Sequence, residues 1–463
     1  MMDSTLPRRQ LYREIWALAW PMAGTNFLSR GAAIVDTAMV GRLSAVALAG
    51  LGMAQIPVFL AMAIQRGLGI GGQVLIAYHT GANEPERRLN VARAVVAITA
   101  LVSVCLAVLS WLVSPWLCRM MGADEAMLAE SIRFLNVYYV MLIFSGSFFV
   151  FSAIFQGAGD ARTPLYVTLG VNLLHVVVAY ATIFGRLGLP RLGVAGSAWG
   201  MGISELAGTM VLAVIAKRRG LWAPGFRGLS LGAVRTVWRL GAPTAGERLL
   251  VNGMQGVYYR LLAGFGAAAI AAHRIGVDME AVSWLPAVGF GQAATTIVGQ
   301  RLGANDPEGA RRAGWITTQI SSVFMGTLGL SFALFAEQWM HLFTADPVVI
   351  GLGVKFCMAA AAIQVPMAIA MVVSGALRGA GETRWVMWTP VVGGWLVRLP
   401  LSYLFGYTLG FGLVGIWWTM LSDWVVRGLM VSLKFKYLRF RLGEKVQIPP
   451  EPAPDADKGD LAG

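Results

Sequence analysis

KRRGLWAPGFRGLSLGAVRTVWR, residues 217–239, is a basic seam without an acidic residue, set between two long apolar blocks. Pro224 and the glycines around it break any continuous helix there. The flanking blocks resemble each other. Pro21 has a counterpart in Pro243, Gly-Ala-Asn-Glu-Pro-Glu at 81–86 returns as Gly-Ala-Asn-Asp-Pro-Glu at 303–308, and Gln-Gly-Ala-Gly-Asp at 156–160 returns as Arg-Gly-Ala-Gly-Glu at 378–382. The spacings agree, since 243−21, 303−81 and 379−157 all equal 222. Three landmarks in one register mark an internal duplication.

The chain is 57% hydrophobic and only 13% charged, with a mean hydropathy of +0.64. Soluble domains carry about a quarter charged residues. Apolar stretches of about 20 residues recur, each long enough to cross a bilayer core of roughly 30 Å. Hydrocarbon leaves backbone groups no outside partner, so the choices are helices or a closed barrel. The absence of period-two alternation selects helices. The expected fold is therefore an all-α polytopic membrane protein, with twelve transmembrane helices in two pseudo-symmetric six-helix lobes around a central cavity. Spans are expected at about 15–40, 47–78, 90–116, 130–156, 163–185 and 193–216, then 236–262, 276–301, 313–336, 348–376, 385–408 and 411–435. Residues 1–14 read as a cytoplasmic leader, 15–216 as the N-lobe, 217–235 as a basic cytoplasmic linker, 236–440 as the C-lobe and 441–463 as a disordered tail.

The net charge of +13 is explained by topology. With a cytoplasmic N-terminus, Arg8, Arg9, Arg13, Arg87, Arg88, Arg162, the seam, Arg311, Arg312, Arg378, Arg384 and Lys434 to Lys445 all fall on one side. That is the positive-inside pattern, with both termini cytoplasmic. Nucleic acid is not an expected partner; small-molecule substrates and membrane lipids are, and the chain is expected to be a monomer. Cys105, Cys118 and Cys357 are scattered and imply neither a disulfide framework nor a metal site. Asn83 and Asp306 can cap the helices that follow, with Pro85 and Pro307 in the first turn.

An ionisable group within hydrocarbon costs roughly 2.5–3.5 kcal/mol on insertion scales, so each one needs a reason. Asp36 lies in the first span, fifteen residues after Pro21, with no basic residue one turn away. It is a candidate proton carrier. His175, in the fifth span after Asn172, is a candidate relay partner. Glu280 heads the eighth span, and Glu247 follows Pro243 with Arg248 adjacent, a setting that favours an ion pair. Asp423 and Arg427, four apart, read as a structural salt bridge. Asp36, Asn172, Glu247, Tyr258 and Glu280 are the candidate cavity residues. P-loop, Gly-x-Ser-x-Gly and His-Glu-x-x-His patterns are absent from the sequence. Neither enzymatic activity nor a cofactor is expected, and transport energy must come from an ion gradient.

Val35-Asp36-Thr37-Ala38-Met39-Val40-Gly41, the paired Gly-Ala-Asn loops, Phe155 to Asp160, Gly193-Val194-Ala195-Gly196 and Val298-Gly299-Gln300 occur in an order that resembles the multidrug and toxic compound extrusion (MATE) transporters over roughly residues 10–440. The resemblance implies two six-helix lobes in a V in a bacterial inner membrane. It also implies export of cationic or amphiphilic compounds against inward H⁺ or Na⁺, Asp36 as the first-lobe coupling carboxylate, and Pro21 as the hinge of the first helix. Many bacterial members carry Asn, then Asp four residues later, in the fifth helix, and Thr in the sixth. Here His175, Ala179 and Met201 fall at those positions, removing oxygen ligands that a hard cation such as Na⁺ would need. Proton coupling is therefore expected, with Na⁺ coupling or a lipid-linked saccharide flippase as alternatives. A flippase would gather Arg30, Arg66, Arg260 and Arg398 in the cavity.

Overall fold

The computed structural model describes residues 8–225 and 230–440. Residues 1–7 of the leader, 226–229 of the seam with Arg227 among them, and the tail expected to be disordered lie outside the described residues. The N-lobe contains α1 (Arg8–Gly41), α2 (Ala45–Gly81), α3 (Pro85–Met120), α4 (Glu125–Gly157), α5 (Arg162–Phe184) and α6 (Val194–Arg218). The C-lobe contains α7 (Leu231–Ala263), α8 (Ala267–Gly303), α9 (Pro307–Leu334), the short α10 (Ala336–His341) and α11 (Pro347–Gly379). It continues with α12 (Thr383–Pro390), α13 (Leu399–Tyr403) and α14 (Gly412–Lys436). Wide π-helical turns at Val391–Arg398 and Leu404–Thr408 join α12 and α13 into one interrupted span. Counting that span once and setting α10 aside, twelve helices cross the membrane among the described residues.

Helix ends carry the duplication into the backbone. Asn83 and Asn305 both adopt left-handed conformations, with φ of 57° and 58°. Gly159 and Gly381 do the same at 92° and 76°, where a side chain would strain the turn. Asp306 caps α9 by accepting from the Gly309 N–H at 2.8 Å. Contrary to the expectation from sequence, Asn83 does not cap α3. It closes the turn after α2, and Glu84 takes the N-cap position without a capping bond. The Glu84 carboxylate is drawn instead to His79 and Arg87. The seam is also shorter than expected, because Lys217 and Arg218 belong to α6 and Arg235 to α7.

Packing explains the shape. One apolar cluster joins both lobes at the end that carries the termini, including Ile15, Met22, Leu75, Phe155, Val237, Phe290, Ile297 and Phe435. Toward the other end it gives way to two separate clusters. The N-lobe holds Val40, Leu51, Phe134 and Tyr138, and the C-lobe holds Met254, Tyr258, Phe356 and Trp417. Glycine lets the helices touch where the lobes meet. A Cβ on Gly67 of α2 would stand 2.7 Å from the Gly241 carbonyl of α7, and one on Gly71 would stand 2.7 Å from the Val237 carbonyl. Further along the same face of α2, Leu60 and Ile56 are exposed, as are Asn252 and Gly256 along the corresponding face of α7. The lobes are thus sealed at the terminus-bearing end and part toward the other. Leu101, Leu112, Leu173 and Val323 on the outer wall are exposed apolar residues that suit lipid.

Candidate functional site

Asp36 sits five residues before the end of α1 and is 6% exposed, although it is charged and lies in a membrane span. Two neighbouring helices reach its carboxyl. From α6 the Ser197 hydroxyl donates to Oδ2 at 2.5 Å. From α5 the His175 Nε2 lies 3.4 Å from Oδ1, near enough for proton exchange but without hydrogen-bond geometry, so Oδ1 is left without a hydrogen-bond partner. Asn172, three residues before His175 on α5, donates from Nδ2 to the Leu28 carbonyl at 2.7 Å. That bond fixes α5 against α1 about two turns below Asp36. No arginine or lysine pairs with Asp36 among the described residues. The centre combines a buried carboxyl, an imidazole and a hydroxyl, a set suited to taking up and passing a proton.

Ser197 was not singled out from sequence, because a serine in a glycine-rich helix start looks like ordinary small-residue packing. Glu205, a second acid of the N-lobe and partly buried, lies further down α6 and accepts a hydrogen bond from the Ser145 hydroxyl of α4. Pro21 lies buried within an unbroken α1; its missing N–H leaves the Ala17 carbonyl without its intrahelical donor, and its own carbonyl accepts from the Thr25 hydroxyl at 2.9 Å.

The other candidate cavity residues are not brought together with Asp36. Glu247 is held by the Arg378 Nη2, 2.7 Å from each carboxylate oxygen, which is the ion pair its setting favoured, though to a distant arginine rather than to Arg248. Tyr258 does not face a cavity. It is fully buried in the C-lobe, where its hydroxyl donates to the Ile416 carbonyl at 3.2 Å and the Arg398 guanidinium stacks 3.9 Å from its ring centre. Glu280 is 5% exposed and enters no ion pair among the described residues. Asp423 and Arg427 form the expected pair, at 2.5 and 2.9 Å, with Arg398 3.7 Å away. The four arginines that a pyrophosphate site would gather are dispersed. Arg30 pairs with Asp278 across the lobes at 2.6 Å, Arg66 lies over Phe149, Arg260 is exposed, and Arg398 is buried on Tyr258.

Polar contacts complete the seal between the lobes. Gln73 of α2 donates to the Thr296 hydroxyl of α8 at 3.0 Å, and Thr296 donates to the Gln156 carbonyl at 3.1 Å. Gln300 donates to the Gly157 carbonyl at 3.0 Å, and Arg301 holds Glu14 at 2.8 Å. Nearby, outside the spans, burial works against the charge of Asp160. The Thr163 hydroxyl and N–H, together with Arg219, outweigh it and hold the carboxyl below the usual range.

The geometry agrees with known proteins. The MatE family pattern matches this chain twice, over residues 21–181 and 243–404, one match per lobe. A probable multidrug resistance protein, NorM, from Thermotoga maritima is 32% identical over 441 residues, covering 92% of each chain. A second protein of that description, from Bradyrhizobium diazoefficiens, is 26% identical over 458 residues, covering 95% of this chain and 97% of the relative. The fold superimposes on the Vibrio cholerae MATE transporter VcmN in its bent form with a TM-score of 0.86 at 19% identity, covering 95% of this chain and 99% of that one. A MATE protein crystallised in a straight conformation gives a TM-score of 0.86 at 20% identity, covering 94% and 97%. The chain is a polytopic membrane protein of the MATE family of multidrug efflux transporters.

Proposed function

We propose that this transporter exports cationic or amphiphilic small molecules in exchange for inward-moving protons, through rocking of its two lobes. The observation that carries the reading is the Asp36 carboxyl, buried in the first span with an imidazole and a hydroxyl as its partners. A sodium ion wants several oxygen ligands, whereas the groups around Asp36 offer one hydroxyl and one ring nitrogen.

The terminus-bearing side is read as cytoplasmic from the positive-inside pattern, in a bacterial inner membrane. The structure then corresponds to an outward-parted state. A proton entering from outside neutralises Asp36 and removes its attraction for a cationic substrate. Loss of that charge lets α1 bend at Pro21, where the backbone hydrogen-bond ladder is already broken. The substrate leaves outward, the lobes reverse, and the proton passes to the cytoplasm. One charge crossing 100 mV supplies about 2.3 kcal/mol, so a total force of about 180 mV supports a gradient on the order of 10³.

Proteoliposomes loaded with a fluorescent cationic dye test this reading under imposed pH or Na⁺ gradients. Dye movement driven by the pH gradient alone is expected. Movement that requires Na⁺ and ignores pH would overturn the assignment of the coupling ion.

A further inference from the structure

The N-lobe contains a second carboxyl that the exchange described above does not use. Glu205 lies on α6 eight residues after Ser197, on the same helical face and about 12 Å closer to the sealed end. The Ser145 hydroxyl of α4 donates to it. Three titratable or charged groups act on it from the packed helices: His175 of α5, Arg66 of α2 and Tyr138 of α4. Arg66 lies over the Phe149 ring at 5.7 Å and forms no salt bridge with Glu205, so the carboxylate is not locked in an ion pair. His175, 5% exposed, has Nε2 toward Asp36 and lies within electrostatic reach of Glu205 as well. Its Nδ1, close to the Gly200 carbonyl of α6, completes no hydrogen bond of good geometry. A buried ring nitrogen without a firm partner, on an imidazole that feels both acids, is the second observation that gives Glu205 a role.

We propose that Glu205 is the next proton station after Asp36 and His175, carrying the coupling proton from the parted side of the N-lobe toward the sealed side. The inference rests on the proton-coupled reading above. The protonated Asp36 carboxyl gives its proton to His175 Nε2. The resulting imidazolium loses its Nδ1 proton to the Glu205 carboxylate. Glu205 releases that proton toward the terminus-bearing side once the lobes reverse, and rotation of the imidazole, now protonated at Nε2, presents a free ring nitrogen to Asp36 again. One proton enters, one leaves, and only O–H and N–H bonds are made or broken. The Ser145 hydroxyl holds the Glu205 carboxylate in place between transfers. The C-lobe has no such route, because Arg427 stands 222 residues after Glu205 (427−205) and keeps a fixed charge there.

The test reads drug-dependent proton release and its pH profile for the full-length protein in proteoliposomes, using a fluorescent cationic dye. Glu205→Gln should bind dye as the wild type does. Its coupled exchange should fall about tenfold, a barrier change of about 1.4 kcal/mol, with an altered pH profile. Glu205→Asp, which keeps the acid on a shorter arm, should restore most of the exchange. If Glu205 only balances Arg66, Glu205→Gln would lower thermal stability while folded protein kept the wild-type pH profile, and that result overturns the proposal. Should Glu205→Gln fail to fold, Glu205→Asp decides alone: exchange largely retained with a shifted pH profile supports the relay, and an unchanged profile overturns it. Two controls separate this inference from the one beneath it. Loss of proton release in Asp36→Asn, with a normal Glu205→Gln, defeats the relay alone. A wild-type protein that releases no protons on adding dye defeats the proton-coupled reading itself.

Discussion

The two lobes share a backbone register but differ in what they do with buried charge. Positions 222 residues apart pair Asp36 with Tyr258 (258−36), Ser197 with Thr419 (419−197) and Glu205 with Arg427. His175 corresponds to a site one residue before Arg398, and the π-helical turn at Val391–Arg398 makes up that difference. In the C-lobe, Arg398 therefore meets the Tyr258 ring much as His175 meets Asp36 in the N-lobe. The C-lobe cluster is ion-paired within itself, because Asp423 lies between Arg427 and Arg398. The N-lobe cluster has no such permanent counter-charge on Asp36. Duplication preserved where polar groups project, and divergence gave one lobe an ion-paired cluster and the other a buried carboxyl beside an imidazole and a hydroxyl. Glu280 is the exception within the C-lobe, a buried acid without an ion pair.

The comparison breaks most sharply at Asp423. Asp423→Ala leaves two buried guanidinium groups without their shared carboxylate, which should cost about 3–5 kcal/mol of stability. Thermal unfolding of the detergent-purified protein should show a large drop, whereas Asp36→Asn should leave the midpoint nearly unchanged. Similar shifts for both variants would mean that the lobes do not differ in this way. The seal between lobes gives an intermediate effect. Gly67→Val places methyl groups against the Gly241 carbonyl and should disfavour the sealed arrangement by about 1–3 kcal/mol. Accessibility of a cysteine placed at Ala245 should rise, and exchange should slow; unchanged labelling would show that the lobes do not close there.

The smallest effect is at Asp160. Its carboxyl is held below its usual range, so its contribution is present above the unfolded carboxylate pKa of about 3.9 and is lost as pH falls through the lower folded value. Asp160→Asn should lower stability near neutrality by up to about 1 kcal/mol, since Arg219 is half exposed. The difference from wild type should vanish in acid. A difference that persists there would assign the stabilisation to the Asp160 hydrogen bonds rather than to its charge.

Much of this was legible in the chain, for physical reasons that differ by residue. Long apolar runs have only one use in a bilayer, and the repeated Gly-Ala-Asn turns fix the register of the lobes. Asp36 and His175 stood out because charge within an apolar run is costly. Ser197 did not, although its hydroxyl counterpart Thr419 was available as a signal through the repeat. Glu247 was hard to place because its partner, Arg378, is 131 residues away. Tyr258 reads as an aromatic at a cavity position, and only packing shows it buried beneath Arg398. The start of α8 at Ala267, earlier than expected, was hidden because an alanine run ending in His273 and Arg274 has the polarity of a loop.

Proton release on adding a cationic dye to purified protein in weakly buffered detergent solution, compared between wild type and Asp36→Asn, is the most direct test. Wild type should release protons as dye binds, while Asp36→Asn should bind dye and release almost none. Equal release from the two proteins would show that the carboxyl in α1 is not the group that trades its proton for substrate.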